Sequence, residues 1–178
     1  IYDTHAAVQN HSRSFDADAH HALARRAAAE STVLLKNEDD LLPLAAGTKV
    51  AVIGDFAETP RYQGAGSSAV NSIKVDSLLG CWGESGLEQV GFATGFNRQG
   101  KPDAAKQAEA VALAQKADVV LLCMGLDEIK ESEGLDRSDM CVAANQIELQ
   151  GAGLRRFGRP GRCGCHARRA GRQGQPQR

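Results

Sequence analysis

Two short, uninterrupted apolar runs limit this chain to few architectures: Lys49-Val50-Ala51-Val52-Ile53-Gly54 and Asp118-Val119-Val120-Leu121-Leu122-Cys123-Met124-Gly125. Neither alternates with polar residues, so each needs cover on both faces, which is the demand of a buried parallel strand. Between them lie Val90-Gly91-Phe92-Ala93, a second candidate strand, and an Ala-rich amphipathic stretch from Asp103 to Lys116 that predicts a helix. Strand, helix, strand in that order implies βαβ units and a parallel sheet. Upstream, Asp18 is a suitable N-cap for an Ala-dominated helix. Leu23, Ala27 and Leu34 give it an apolar stripe, and it should run to about Leu35, with Asn37 and Glu38-Asp39-Asp40 stopping it. Leu78-Leu79 reads as the start of a short helix, and Asn145-Gln146-Ile147-Glu148-Leu149 as the opening of another. The fold class is therefore α/β, a three-layer sandwich around a parallel sheet. Three strands are too few to complete it, so the fold is expected to be partial at its C-terminal end.

At 178 residues the chain can bury one real core but cannot hold a barrel and a second domain. It is 42% hydrophobic and 24% charged, and no apolar run approaches the roughly 18–20 residues needed to cross a bilayer. The start, Ile1-Tyr2-Asp3-Thr4-His5, lacks the basic and apolar regions of a secretory signal, so a cytoplasmic location without membrane contact is the expectation. Five cysteines at irregular spacing give neither a disulfide frame nor a zinc ribbon. Cys163-Gly164-Cys165-His166 is an isolated trio in an Arg/Gly-rich tail, and no metal or other cofactor is expected. The net charge of −1 conceals an asymmetry: residues 151–178 hold eight Arg, seven Gly and no acid, leaving about −9 on the first 150. Such a tail attracts phosphates, but it has only Phe157 for stacking and sits beside an acidic body, so nucleic acid is not an expected partner.

Three loops invite chemistry. Gly54 ends a strand as the first glycine of a dinucleotide fingerprint would, but Asp55-Phe56-Ala57-Glu58 puts an acid and bulk where a pyrophosphate needs glycines. Gly64-Ala65-Gly66-Ser67-Ser68 lacks the lysine of a P-loop. It reads equally as a tight turn or as a set of N–H and hydroxyl donors suited to sugar hydroxyls. The acidic loop from Leu126 to Arg137 places Glu128, Glu131 and Glu133 just past a strand's C-terminal end, where open α/β sheets bind ligands. A solvated loop is the simpler account of those residues alone. Crowding by like charge and partial desolvation would instead raise a carboxyl's pKa and suit it to general acid work.

Taken together, three segments resemble the second domain of family 3 glycoside hydrolases. They are Ala24 to Asn37 with Leu42-Pro43-Leu44 and Lys49 to Gly54; Tyr62-Gln63-Gly64-Ala65-Gly66-Ser67-Ser68; and Glu131-Ser132-Glu133-Gly134-Leu135-Asp136-Arg137 with Gln146 beyond. The last is similar to the family's E-x-E-G-x-D-R…Q pattern. The resemblance implies a retaining β-glycosidase of β-glucosidase type, acting on the nonreducing end of a β-glucoside or related saccharide. Such enzymes use two carboxyl groups about 5–5.5 Å apart, one a nucleophile and one an acid/base. In the family the nucleophile is an Asp on a preceding (β/α)8 barrel, and the acid/base Glu comes from the second domain. The match places that role on Glu133, with Glu131 as the fallback. It makes Arg61, Gln63, Ser67 and Ser68 candidates for lining the sugar site, and Asp136 with Arg137 an ion pair that shapes the loop.

Residues 1–17 then read as a linker from the missing barrel, which is this chain's expected partner domain; without its nucleophile the chain alone should not turn over. Residues 18–150 carry the partial α/β domain. The abrupt change after Gln150 to Arg, Gly, Gln and Pro has the character of a frameshifted or truncated reading frame, and residues 151–178 are expected to be disordered. The competing function is a non-catalytic α/β module that binds a carbohydrate or another domain.

Overall fold

The computed structural model describes residues 15–67 and 69–156. Most of the expected linker, Ser68, and the tail from Phe157 with its Cys163–His166 cluster lie outside the described residues. The described residues divide into two compact units, one ending at Leu34 and the other beginning at Leu35.

In the first unit, helix α1 spans Ala17–Glu30. Its cap is Asp16 rather than Asp18: the Asp16 carboxylate accepts from the Ala19 N–H at 3.0 Å, and Asp18 sits in the first turn. The helix also stops short of the expected Leu35. The Ser31 hydroxyl donates to the Ala27 carbonyl and that of Thr32 to the Ala28 carbonyl. These bonds draw acceptors away from the helical ladder, and β-branched Thr32 and Val33 follow.

The second unit is built on a three-stranded parallel sheet in the order β2-β1-β3. Strand β1 is Lys49–Ile53, β2 is Glu88–Ala93 and β3 is Val119–Leu122. The expected α/β class with a partial parallel sheet is the one found. Central β1 explains its own sequence: Val50, Ala51 and Val52 have no exposed surface. Alternate side chains serve opposite faces. Ile53 joins Ala93, Phe96, Ala110, Ala114 and Leu149 in one cluster, whereas Val50 and Val52 join Ala57 in another.

Helix α2, Ala104–Ala114, supplies Ala110 and Ala114 to the first cluster, and helix α3, Ala144–Arg156, supplies Leu149. Asp103 caps α2 by accepting from the Lys106 N–H at 3.1 Å. Helix α3 continues six residues past Gln150, beyond the point where the sequence pattern fades. The second face is covered differently from expectation. No α-helix opens at Leu78-Leu79; among the described residues the segment from β1 to β2 contributes 3-10 turns at Asp55–Ala57 and Trp82–Glu84. Leu79, Trp82 and Leu87 cover Val50 and Val52 from there, and the Trp82 indole N–H donates to the Leu87 carbonyl.

The first turn of α3 fastens the loops that leave β2 and β3. Asn145 donates its amide to the carbonyls of Asn97 and Lys101. Gln146, 1% exposed, accepts from the Gly125 N–H at 3.0 Å and donates to the Gly125 carbonyl at 2.9 Å. The side-chain amide thus pairs with a backbone amide as a neighbouring strand would. Gln146→Ala leaves both Gly125 groups without this partner in a partly buried site. It should cost about 3 kcal/mol, read as a lower urea midpoint at unchanged slope.

Candidate active site

The loops that follow β1 and β3 meet beyond the carboxyl ends of those strands, the position where open α/β sheets place their sites. Ala65 and Ser132 form an isolated parallel bridge, and the Glu133 N–H donates to the Ala65 carbonyl at 3.3 Å. The Glu133 carboxylate turns back onto the glycine/serine loop. Its Oε2 accepts from the Ser67 N–H at 3.0 Å and also from the Ser67 hydroxyl. Gly66 makes this approach possible: its φ is +101°, and a Cβ there would lie 2.9 Å from the Glu133 Cβ. The glycine/serine loop is therefore both a tight turn and a donor array, and the acceptor it serves within this chain is Glu133.

The other two glutamates of the acidic loop are held by arginines. Glu131 pairs with Arg61 at 2.6 Å and with Arg137 at 3.8 Å, while Glu128 pairs with Arg98 at 3.4 Å. The partner of Arg137 is thus Glu131, where the sequence pointed to Asp136. Gln63 spends its amide on Val70, accepting from its N–H at 2.9 Å and donating to its carbonyl at 3.2 Å. Arg61, Tyr62, Gln63, Gly66, Ala69 and Glu128 line a cleft of about 270 Å³.

These contacts reverse the electrostatics expected of the loop. The Ser67 hydroxyl, followed by its N–H, holds the Glu133 carboxyl below its ordinary range, and the opposing effect of desolvation is smaller. Donors to the ionised form favour it, so the carboxyl is not raised as crowding alone would suggest. Glu131 is lowered too, first by its hydrogen bond from Arg61.

Two features escaped the sequence reading. Buried Asp127 accepts from the N–H groups of Ile129 and Lys130 at 3.0 and 2.7 Å, an Asx turn that shapes the root of the acidic loop. Its signal was an aspartate at the start of the loop, a few residues past β3. Arg98 lies 4.2 Å over the Phe56 ring, pairs with Asp55 at 2.6 Å and donates to the Thr59 carbonyl. Its partners come from the segment after β1 and, through Glu128, from the acidic loop, and nothing local marks it. Among the described residues no group of three or more His, Cys, Asp or Glu is placed to hold a metal ion. Burial pushes the Cys123 thiol up to about 11, so it is a poor nucleophile near neutral pH. No described helix is long and apolar enough to cross a membrane.

Comparison with known proteins bears on this arrangement. Residues 32–154 match the glycosyl hydrolase family 3 C-terminal domain. An exo-α-(1→6)-L-arabinopyranosidase of Bifidobacterium breve is 47% identical over 84% of this chain, which spans 21% of that relative. A thermostable β-glucosidase B of Acetivibrio thermocellus is 42% identical over 76% of the chain and 18% of its own length. The crystal structure of a Bifidobacterium adolescentis family 3 β-glucosidase superposes with a TM-score of 0.79 at 46% identity, covering 87% of this chain and 23% of that one. The chain thus spans about a fifth of the length of these proteins. Matched over most of its described length, it belongs to glycosyl hydrolase family 3 and carries that family's C-terminal α/β domain.

Proposed function

We propose that this chain supplies the general acid/base of a retaining exo-glycosidase, that the residue is Glu133, and that the nucleophile belongs to a barrel domain. One observation supports this reading above the rest. Of the three glutamates on the loop, Glu128 and Glu131 are committed to arginines, while Glu133 is exposed and held by the neutral donors of Ser67. A carboxylate paired with a guanidinium resists protonation; one held by a hydroxyl and an N–H can exchange that contact for a substrate oxygen. In the first half-reaction Glu133 would give its proton to the departing glycosidic oxygen as the nucleophile attacks the anomeric carbon. In the second it would take a proton from the water that attacks the glycosyl-enzyme.

The names of the similar proteins narrow the substrate to a class. They act as an arabinopyranosidase, a β-glucosidase and probable β-xylosidases. α-L-Arabinopyranosides, β-glucosides and β-xylosides share an equatorial bond at the anomeric carbon and differ around C4 and C5. An equatorially linked pyranoside is accordingly the substrate class we assign. The direct test mixes this chain with a separately expressed family 3 barrel and follows hydrolysis of phenyl β-glucoside, whose unactivated leaving group needs a proton to depart. Activity that requires both parts and falls on Glu133→Gln supports the assignment. Activity indifferent to Glu133→Gln refutes it and favours a non-catalytic module.

The Ser67 contact predicts a pH effect with a definite sign. Glycosylation needs Glu133 protonated, so kcat/KM falls as pH rises through its pKa. Ser67 holds that pKa down. Ser67→Ala removes the hydroxyl donor, and the alkaline limb of kcat/KM should move to higher pH. A limb that stays in place, or moves down, would show that the contact is absent in the working enzyme.

A further inference from the structure

Arg61 sits in the glycine/serine segment, where a role in lining the sugar site was the natural expectation. Its guanidinium is instead committed to the acidic loop. Nη1 donates to the Glu131 carboxylate at 2.6 Å and to the Leu126 carbonyl at 3.5 Å, and Nη2 donates to the Glu131 carbonyl at 2.8 Å. The remaining nitrogen, Nε, is buried and has no acceptor, and the side chain as a whole is 16% exposed. One planar fork thus joins the first residue of the loop, Leu126, to a residue two before Glu133. Arg137 pairs with the other oxygen of that carboxylate, Oε1, at 3.8 Å. The loop between these points has no regular secondary structure of its own, so its path depends on such cross-links.

We propose that Arg61 and Glu131 act together as a positioning pair that fixes the loop carrying the acid/base, rather than as ligands of the sugar. This rests on the assignment of Glu133 as that acid/base. The pair acts from a distance. With Arg61 in place, the backbone at Glu131 is tied to the β1 loop, and Glu133, two residues on, meets the Ser67 donors and the Ala65 carbonyl of that same loop. Without it, the bridge between Ala65 and Ser132 and the Ser67 contacts of Glu133 have to hold this part of the loop. Lysine is not an adequate substitute, because an ammonium on a flexible stem cannot span two carbonyls and a carboxylate in one plane.

Two measurements test the pair. Hydrogen exchange in this chain, compared among wild type, Arg61→Met and Arg61→Lys, reads the loop without reference to activity. The Glu133 amide should exchange at least about tenfold faster in both variants, while the amides of Val50–Ile53 keep their protection, which shows that the domain remains folded. Unchanged exchange at Glu133 overturns the proposal. So does equal acceleration in β1 in both variants, because Arg61 would then be a general fold determinant.

Kinetics in the reconstituted or full-length enzyme supply the second test. Arg61→Met should lower kcat/KM about thirtyfold or more for an alkyl or saccharide leaving group, and only a few-fold for 2,4-dinitrophenol, which departs without a proton. Equal losses for both leaving groups, when Glu133→Gln remains selective, would mark Arg61 as a sugar ligand and refute the proposal. If Glu133→Gln itself shows no selectivity, the acid/base assignment falls, and the exchange experiment alone decides whether Arg61 straps the loop.

Discussion

An enzyme bearing Glu133→Gln should lose about three orders of magnitude in kcat/KM on an alkyl β-glucoside or a disaccharide, yet keep kcat/KM within about tenfold on 2,4-dinitrophenyl β-glucoside. The amide is nearly isosteric with the carboxyl and can retain contact with Ser67, so geometry is disturbed little. What disappears is the proton. Poor leaving groups need it as the bond to the anomeric carbon breaks, and dinitrophenolate does not. The second half-reaction then becomes slow, because no base activates water, and kcat on the activated substrate falls together with KM. Azide, which attacks without a base, should restore kcat and release the glycosyl azide with retained configuration. Loss spread evenly over all leaving groups, with no response to azide, would show that Glu133 binds or shapes but does not transfer a proton.

Gly54→Ala should be the most destabilising single substitution among those considered, costing about 4 kcal/mol or more. Two causes act together. Gly54 has φ of +110°, a region that side chains rarely adopt, and a Cβ there would lie 2.1 Å from the Cys123 carbonyl oxygen. The obstacle is backbone, not a side chain that can swing away. Moving it would break the bond from the Cys123 N–H to the Ile53 carbonyl, at 2.7 Å, which closes the β1–β3 ladder. A domain of this size has about 5–15 kcal/mol in total, so the variant should melt far lower or accumulate as unfolded protein. A melting temperature within about 2 °C of wild type would show that the two strands can separate at this point without loss. At the neighbouring end of the site, Gly66 has the same left-handed backbone but faces the Glu133 side chain, which can yield.

The elements that were legible in the sequence are those fixed by short-range pattern. Val50–Ile53 and Val119–Leu122 declared themselves as strands because continuous apolar runs have few other uses, and Asp103 marked the start of α2. Where two signals competed, position was lost: Asp16 and Asp18 are both suitable caps, but Asp16 has the extended backbone of a cap and Asp18 already lies in the first turn. The connection from β1 to β2 was misread at Leu78-Leu79 because apolar residues under a turn look like the start of a helix. The loop identities were legible through resemblance, but the partnerships were not. Arg61 with Glu131 and Ser67 with Glu133 are separated by 70 and 66 residues, and no periodicity links residues so far apart. For the same reason the hydroxyl that lowers the Glu133 carboxyl was invisible, and crowding by acids pointed to the opposite direction.

The strand order has a consequence for how the site comes into being. β1 and β3 are neighbours in the sheet, yet an entire strand and a helix lie between them in the chain. Every polar link between the Arg61–Ser67 segment and the acidic loop therefore closes a loop of at least 65 residues. Loop closure on that scale is repaid only once the β1–β3 pairing exists. Neither half of the site can preorganise in a peptide or on a partly synthesised chain that has yet to reach β3. Formation of the candidate site is thus a late property of folding, acquired when the third strand docks.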